Sequence, residues 1–181
     1  MNFVTLGRFV VPEVVATHFN IKPGDNVADF GAGSGFYLKI LSNSVDDGKV
    51  YAIDIQKQLV EKLGEYIRIN NLPNVHPLWC DLEEEGGIKL PDDALDAGIL
   101  VNTLFQFEQK EAAIAEISRV IKRGGLLHII DWSESFGGLG PQPNDVITKD
   151  DTVALLEANG FLLESEFPAG DHHYGVTFRK L

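Results

Sequence analysis

The stretch Val27-Ala28-Asp29-Phe30-Gly31-Ala32-Gly33-Ser34-Gly35-Phe36-Tyr37 decides the reading of this chain. An apolar strand runs into a turn with glycine at alternate positions, and the turn runs into a helix. Glycine at those positions lets the backbone turn tightly and approach a ligand closely, and the following helix opens with free amide groups at its N-terminus. The pattern is that of a cradle for a nucleotide-like ligand.

Outward from the cradle, strands and helices alternate. Upstream, residues 12–20 read as a short helix with Pro12 in its first turn, and Pro23-Gly24-Asp25 breaks the chain before a strand at 26–30. Downstream, a helix over 36–44 leads to a strand at 50–55. An amphipathic helix over 58–70 follows, with Leu59, Leu63, Tyr66 and Ile67 at helical spacing, and then a strand at 75–79. The segment 83–93, with its Glu83-Glu84-Glu85-Gly86-Gly87 run, reads as a surface loop. A nearly all-apolar strand at 94–101 suits a parallel sheet covered on both faces. A helix over 108–122 is predicted to be capped by Arg123-Gly124-Gly125 before a strand at 126–131. After a Gly/Pro-containing loop from Trp132 to Val146, Thr148 and Asp151 form a capping-box pattern for a helix ending at Asn159-Gly160. The runs 161–167 and 174–179 are joined too closely for a crossover, so they make an antiparallel hairpin. The expectation is one α/β domain over 1–181, with residues 1–25 as an N-terminal helical cap segment. Five strand-helix units build a Rossmann-like, doubly wound, seven-stranded sheet, mostly parallel with an antiparallel C-terminal strand.

Composition narrows the function. The 181 residues include 27 Asp and Glu against 15 Lys and Arg, a formal net charge of −12, which disfavours a nucleic-acid partner. A single cysteine, Cys80, excludes an intrachain disulfide framework and a cysteine-rich metal site. The N-terminus lacks the layout of a signal peptide and no apolar run matches a membrane span, so the expectation is a cytoplasmic protein with no membrane partner.

Three acids end consecutive strands: Asp29, Asp54 and Asp81. Ligands in open parallel sheets sit beyond the carboxyl ends of the strands. Together with the alternate glycines, with Asp81-Leu82 after the third strand and Gly124-Gly125 before the fifth, this arrangement resembles the class I S-adenosylmethionine-dependent methyltransferases over nearly the whole chain, and within them the small stand-alone type. The resemblance implies S-adenosylmethionine as cofactor. It implies that Gly31, Gly33 and Gly35 pass under its methionine portion, Asp29 meets its ammonium, Asp54 accepts both ribose hydroxyls and Asp81 accepts the adenine amino group. Ile55 and Leu82 become walls for the purine, and Asn102 joins the cofactor set.

The same resemblance implies a small-molecule acceptor methylated on O, N or C. Candidate acceptor residues are Phe105, Phe107, Trp132 and Tyr174, and candidate bases are His172, His173 and Asp131. Asn102-Thr103-Leu104-Phe105 departs from the Asn-Pro-Pro-aromatic motif of base-amine methylating enzymes, one cysteine is too few for thiol-based arsenic methylation, and no Asp-Asn pair of the catechol type indicates a metal. A protein or RNA acceptor stays open, because Ile21-Lys22-Pro23-Gly24 is similar to stretches of protein-repair and transfer-RNA methyltransferases. From other classes, an NAD-dependent oxidoreductase and a non-catalytic cofactor-binding protein remain. The oxidoreductase predicts glycines spaced two then three rather than two and two.

Overall fold

The computed structural model describes residues 10–181; the first nine residues of the expected N-terminal cap segment lie outside the described residues. Seven strands form one sheet: β1 (Asn26–Phe30), β2 (Lys49–Asp54), β3 (Val75–Trp79), β4 (Leu95–Val101), β5 (Ile121–Trp132), β6 (Phe161–Pro168) and β7 (His173–Lys180). Their spatial order is β3-β2-β1-β4-β5-β7-β6. All neighbours pair in parallel except β7, which is antiparallel to both β5 and β6. The expected architecture is thus observed.

Side-chain alternation along each strand sorts two cores onto the two faces. Val27, Val50, Ala52 and Ile99 pack under α1 (Pro12–Val15), α2 (Leu38–Val45) and α3 (Lys57–Ile69). Ala28, Phe30, Ile53 and Ile129 pack under α4 (Lys110–Val120) and α5 (Lys149–Ala158). The α5 N-terminus carries the cap read from sequence, with Thr148 Oγ1 accepting from the Asp151 amide at 3.1 Å.

Several boundaries differ from expectation, beginning with the helix expected over 12–20, which is α-helical over Pro12–Val15 and tightens into a 3-10 turn over Ala16–His18. The helix expected from residue 36 starts at Leu38, because Gly33 and Gly35 have positive φ and carry the turn past Phe36. The helix expected to run to 122 stops at Val120, and Ile121 is already extended, paired with Leu95. Gly124-Gly125 therefore does not cap a helix; it lies within β5, where the register against β4 shifts between Leu95 and Ala97. Finally, only four of the five expected strand-helix units exist. Between β3 and β4 the chain crosses without a helix.

That helix-free crossing is fastened by one buried acid. Glu116 on α4 accepts from the amides of Ile88 at 2.9 Å and Gly86 at 3.1 Å, and it pairs with Arg119 at 2.7 Å. Arg119 in turn donates to the carbonyls of Ile88 and Leu90 and to Asp92. Burial alone raises the Glu116 carboxyl, but Arg119 and the two amides outweigh it and hold the group below its ordinary value. Its ionised form thus stabilises the fold above the unfolded carboxylate range, and the contribution is lost as pH falls through the lowered value. Arg119→Ala is expected to cost about 2–3 kcal/mol at neutral pH in urea unfolding, with the difference from wild type shrinking in acid. An unchanged midpoint means that the crossing is held by other contacts.

Candidate active site

The cradle forms because β1 and β2 end side by side. The amides of Gly31 and Ala32 both donate to the Ile53 carbonyl, at 2.9 and 2.8 Å. The Gly33 amide donates to Asp54 Oδ2 at 3.0 Å, and the Gln56 amide donates to Asp54 Oδ1 at 2.9 Å. Gly31 is required at its place: φ is +78° and an added Cβ would sit 2.5 Å from Thr103 Oγ1. Gly35 serves packing instead, since a Cβ there would meet Leu63 and Leu38, and the residue does not line the cleft.

Above the turn lies a cleft of about 840 Å³ at the carboxyl ends of the strands. Of the expected cofactor residues, Asp29, Gly31, Gly33, Asp54, Ile55, Asp81, Leu82 and Asn102 all line it. Asp29 and Asp54 are 3% and 6% exposed. Burial first, and the charge of Asp54 second, push the Asp29 carboxyl up to about 7. Asp81 Oδ1 accepts from the Glu83 amide at 2.9 Å, which shapes the chain after β3.

The expected acceptor residues divide. Trp132 and His173 line the cleft, paired across β5 and β7 with ring centroids 4.2 Å apart. Gly140 closes on the indole, for a Cβ there would sit 2.5 Å from the ring. Phe107 lines the cleft as well, whereas Phe105 borders a neighbouring depression with Val146 and Ile147. Tyr174 and Asp131, the next cross-strand pair, face away from the cleft. The Tyr174 hydroxyl bonds Thr152 of α5 at 2.8 Å. Asp131 accepts from the amides of Trp132 at 2.8 Å and Phe105 at 3.3 Å, so it braces the turn after β4. Burial nevertheless pushes its carboxyl up to about 6, the amides working against the rise. His172 also stands off the cleft, with Nδ1 2.8 Å from Glu134 and its ring stacked on Phe136. Phe105, Asp131, His172 and Tyr174 thus do not line this cleft.

Other lining residues escaped the sequence reading, notably Tyr37, Thr103, Gln56 and Gln106. Tyr37 had a signal, being the last residue of the opening motif. Among the described residues, its hydroxyl, Asn102 Oδ1 and both ring nitrogens of His173 are buried without a hydrogen-bond partner. Buried polar atoms in proteins are nearly always satisfied, so orphans lining one cleft point to a polar ligand. Burial, then Asp29, raises the Tyr37 hydroxyl, so it stays protonated and able to donate. For His173, burial and then His172 push the imidazole down to about 4.

A family model described as a methyltransferase domain matches residues 28–129. The chain belongs to the class I S-adenosylmethionine-dependent methyltransferase family. A methyltransferase of this type from Aquifex aeolicus superposes with a TM-score of 0.87 at 32% identity, covering 96% of this chain and 91% of that one. The ubiquinone/menaquinone biosynthesis C-methyltransferase UbiE of Cupriavidus metallidurans is 32% identical over 117 residues, 64% of this chain and 46% of the relative. An arsenite methyltransferase of Halobacterium salinarum is 27% identical over 156 residues, 78% of this chain and 38% of the relative. The chain thus matches less than half the length of these curated relatives. A fold of this family implies S-adenosylmethionine binding, and the orphaned polar atoms and the acid pair fit a ligand that carries hydroxyls and an ammonium group.

The acid pair makes its own prediction. A carboxyl raised from 3.8 to about 7 binds more protons folded than unfolded between those values, so ligand-free stability falls as pH climbs from about 4 to 7 and then levels off. Asp29→Asn is expected to reduce that slope in thermal melts, most clearly between pH 6 and 7, above the range in which Asp131 also titrates. A variant with the wild-type slope shows that another group titrates.

Proposed function

We propose that the protein transfers the methyl group of S-adenosylmethionine to an O, N or C atom of a small molecule. The observation that carries the reading is the buried pair Asp29 and Asp54 flanking the Gly31–Gly33 turn, in a cleft that also holds orphaned polar atoms. When bound, S-adenosylmethionine supplies an electrophilic methyl group whose bond to sulfur breaks as the acceptor's new bond forms.

In this reading Asp54 takes the ribose hydroxyls on the lone pairs left by the Gly33 and Gln56 amides, since each carboxylate oxygen accepts more than one hydrogen bond. Asp29 neutralises the ammonium group. Asp81 accepts the adenine amino group, and Leu82 and Ile55 flank the purine. Asn102 and Tyr37 supply hydrogen bonds where the methionine portion lies. Acceleration then rests largely on holding the acceptor in line with the methyl group.

Where the acceptor must lose a proton, His173 is the group in reach of the cleft. It is neutral above about pH 4 and so holds a lone pair throughout the physiological range. The similarity to a C-methyltransferase supports carbon as one acceptor atom. Thiol chemistry of the arsenite type is unsupported, because Cys80 is buried, does not line the cleft, and has its thiol pushed up by burial. An acidic chain also supports a small molecule over RNA.

Calorimetry with S-adenosylhomocysteine tests the cofactor half. Asp54→Ala is expected to weaken binding by about 1.5–3 kcal/mol, the range for a charge-assisted hydrogen bond. Tight NAD binding with no binding of S-adenosylhomocysteine rejects the reading. Screening metabolites for S-adenosylhomocysteine release tests the transfer, and persistent silence favours a non-catalytic binding protein. With an acceptor in hand, His173→Ala is expected to lower kcat/KM about 100-fold or more while sparing S-adenosylhomocysteine affinity. With S-adenosylmethionine held saturating, wild-type activity should decline as pH falls towards about 4, where the imidazole becomes charged. An undiminished His173→Ala rate removes the histidine from proton transfer.

A further inference from the structure

The segment after β3 carries the residues proposed for the purine, and it crosses to β4 without a helix to hold it in place. It is built instead as a compact turn carried on α4. Asp81 Oδ1 accepts from the Glu83 amide at 2.9 Å, and the Gly87 amide donates to the Glu84 carbonyl at 2.8 Å. Gly87 lies so close that an added Cβ would sit 1.9 Å from the Asp81 carbonyl oxygen. One side of this turn is fastened within α4, where Glu116 takes the Gly86 and Ile88 amides.

The other side reaches across the cleft. Glu83 Oε2 accepts from the amide of Gln109, the residue before α4. The first amides of a helix lack partners within it, and a carboxylate placed there gains from the hydrogen bond and from the helix dipole together. This charge-assisted bond joins the two banks of the cleft, Asp81-Leu82-Glu83 and Gln106-Phe107-Glu108. Because Glu83 gives its amide to Asp81 and its carboxylate to Gln109, the orientation of the Asp81 carboxylate is tied to the position of α4.

Resting on the methyltransferase reading, we propose that Glu83 is a positioning residue for adenine recognition. Its strap to the Gln109 amide holds Asp81 where the carboxylate accepts the purine amino group, and so contributes to the choice of adenine over an oxopurine. An oxopurine presents an oxygen in place of that amino group, and two acceptors then face each other unfavourably. Loosening the strap lets Asp81 shift and weakens the choice, while Glu116 and Arg119 keep the crossing folded.

Calorimetry on the full chain with S-adenosylhomocysteine and S-inosylhomocysteine reads the choice as a ratio of two affinities on one sample, which a partly unfolded preparation does not alter. The wild-type ratio is expected to be about tenfold or more in favour of the adenine ligand. Glu83→Ala is expected to weaken S-adenosylhomocysteine about three- to tenfold and S-inosylhomocysteine much less, lowering the ratio at least about threefold. Glu83→Gln, which keeps a side-chain oxygen for the Gln109 amide, is expected to restore most of it. In an Asp81→Ala background, Glu83→Ala is expected to change neither affinity by more than about twofold. Equal losses for both ligands in Glu83→Ala, or the same loss without Asp81, make Glu83 a structural brace only and overturn the proposal. So does a Glu83→Gln ratio as low as that of Glu83→Ala. If the wild-type chain binds S-adenosylhomocysteine but prefers neither ligand, Asp81 does not read the amino group and the proposal falls with that placement. If neither ligand binds, the methyltransferase reading itself falls, so the two failures are distinct.

Discussion

The hydrogen bond from the Gly33 amide to Asp54 Oδ2 is the contact on which the site depends. It ties the turn after β1 to the end of β2, beside the two amides that converge on the Ile53 carbonyl. Through the Gln56 amide on its other oxygen, the same carboxylate also sets the entry into α3. One side chain therefore fixes the shape of the cradle and supplies its acceptor atoms. A buried, 6% exposed carboxylate tolerates this double use because backbone amides satisfy it before any ligand arrives.

From that contact the rest of the sheet follows in two directions. Towards β3, the strand ends place Asp54 and Asp81 in succession, and the chain returns to β4 through a crossing fastened by Glu116 and Arg119 rather than by a helix. Towards β5 and β7, the antiparallel register lays Trp132 against His173 and Asp131 against Tyr174. These adjacent pairs share strands yet serve different faces, the first the cleft and the second the α5 side.

This division explains what the sequence made legible. The glycine turn and the acids at the ends of β1, β2 and β3 were readable because each lies in one contiguous segment whose period and turn chemistry are local. The order of Asp131, Trp132, His173 and Tyr174 around the site was not. It depends on where the closing hairpin pairs, and β7 begins one residue earlier than the expected Tyr174, which draws His173 out of the turn and into the sheet. Side-chain alternation then sends Tyr174 to Thr152 and leaves His173 facing Trp132. The Gly124-Gly125 pair was misread for a related reason. Its signature is the same at a helix end as in a strand irregularity, and only the pairing of Ile121 with Leu95 distinguishes them. The missing helix between β3 and β4 is a different matter, since Gly86-Gly87 and the acidic run already argued for a loop.

One electrostatic constraint governs the Asp29 and Asp54 end of the cleft. Burial withholds water from the Asp29 carboxylate and, second, the neighbouring Asp54 repels its charge, so the carboxyl is pushed up to about 7. A ligand bearing an ammonium relieves that strain by drawing the carboxyl back towards ionisation, and the ligand-free fold carries the strain as lost stability.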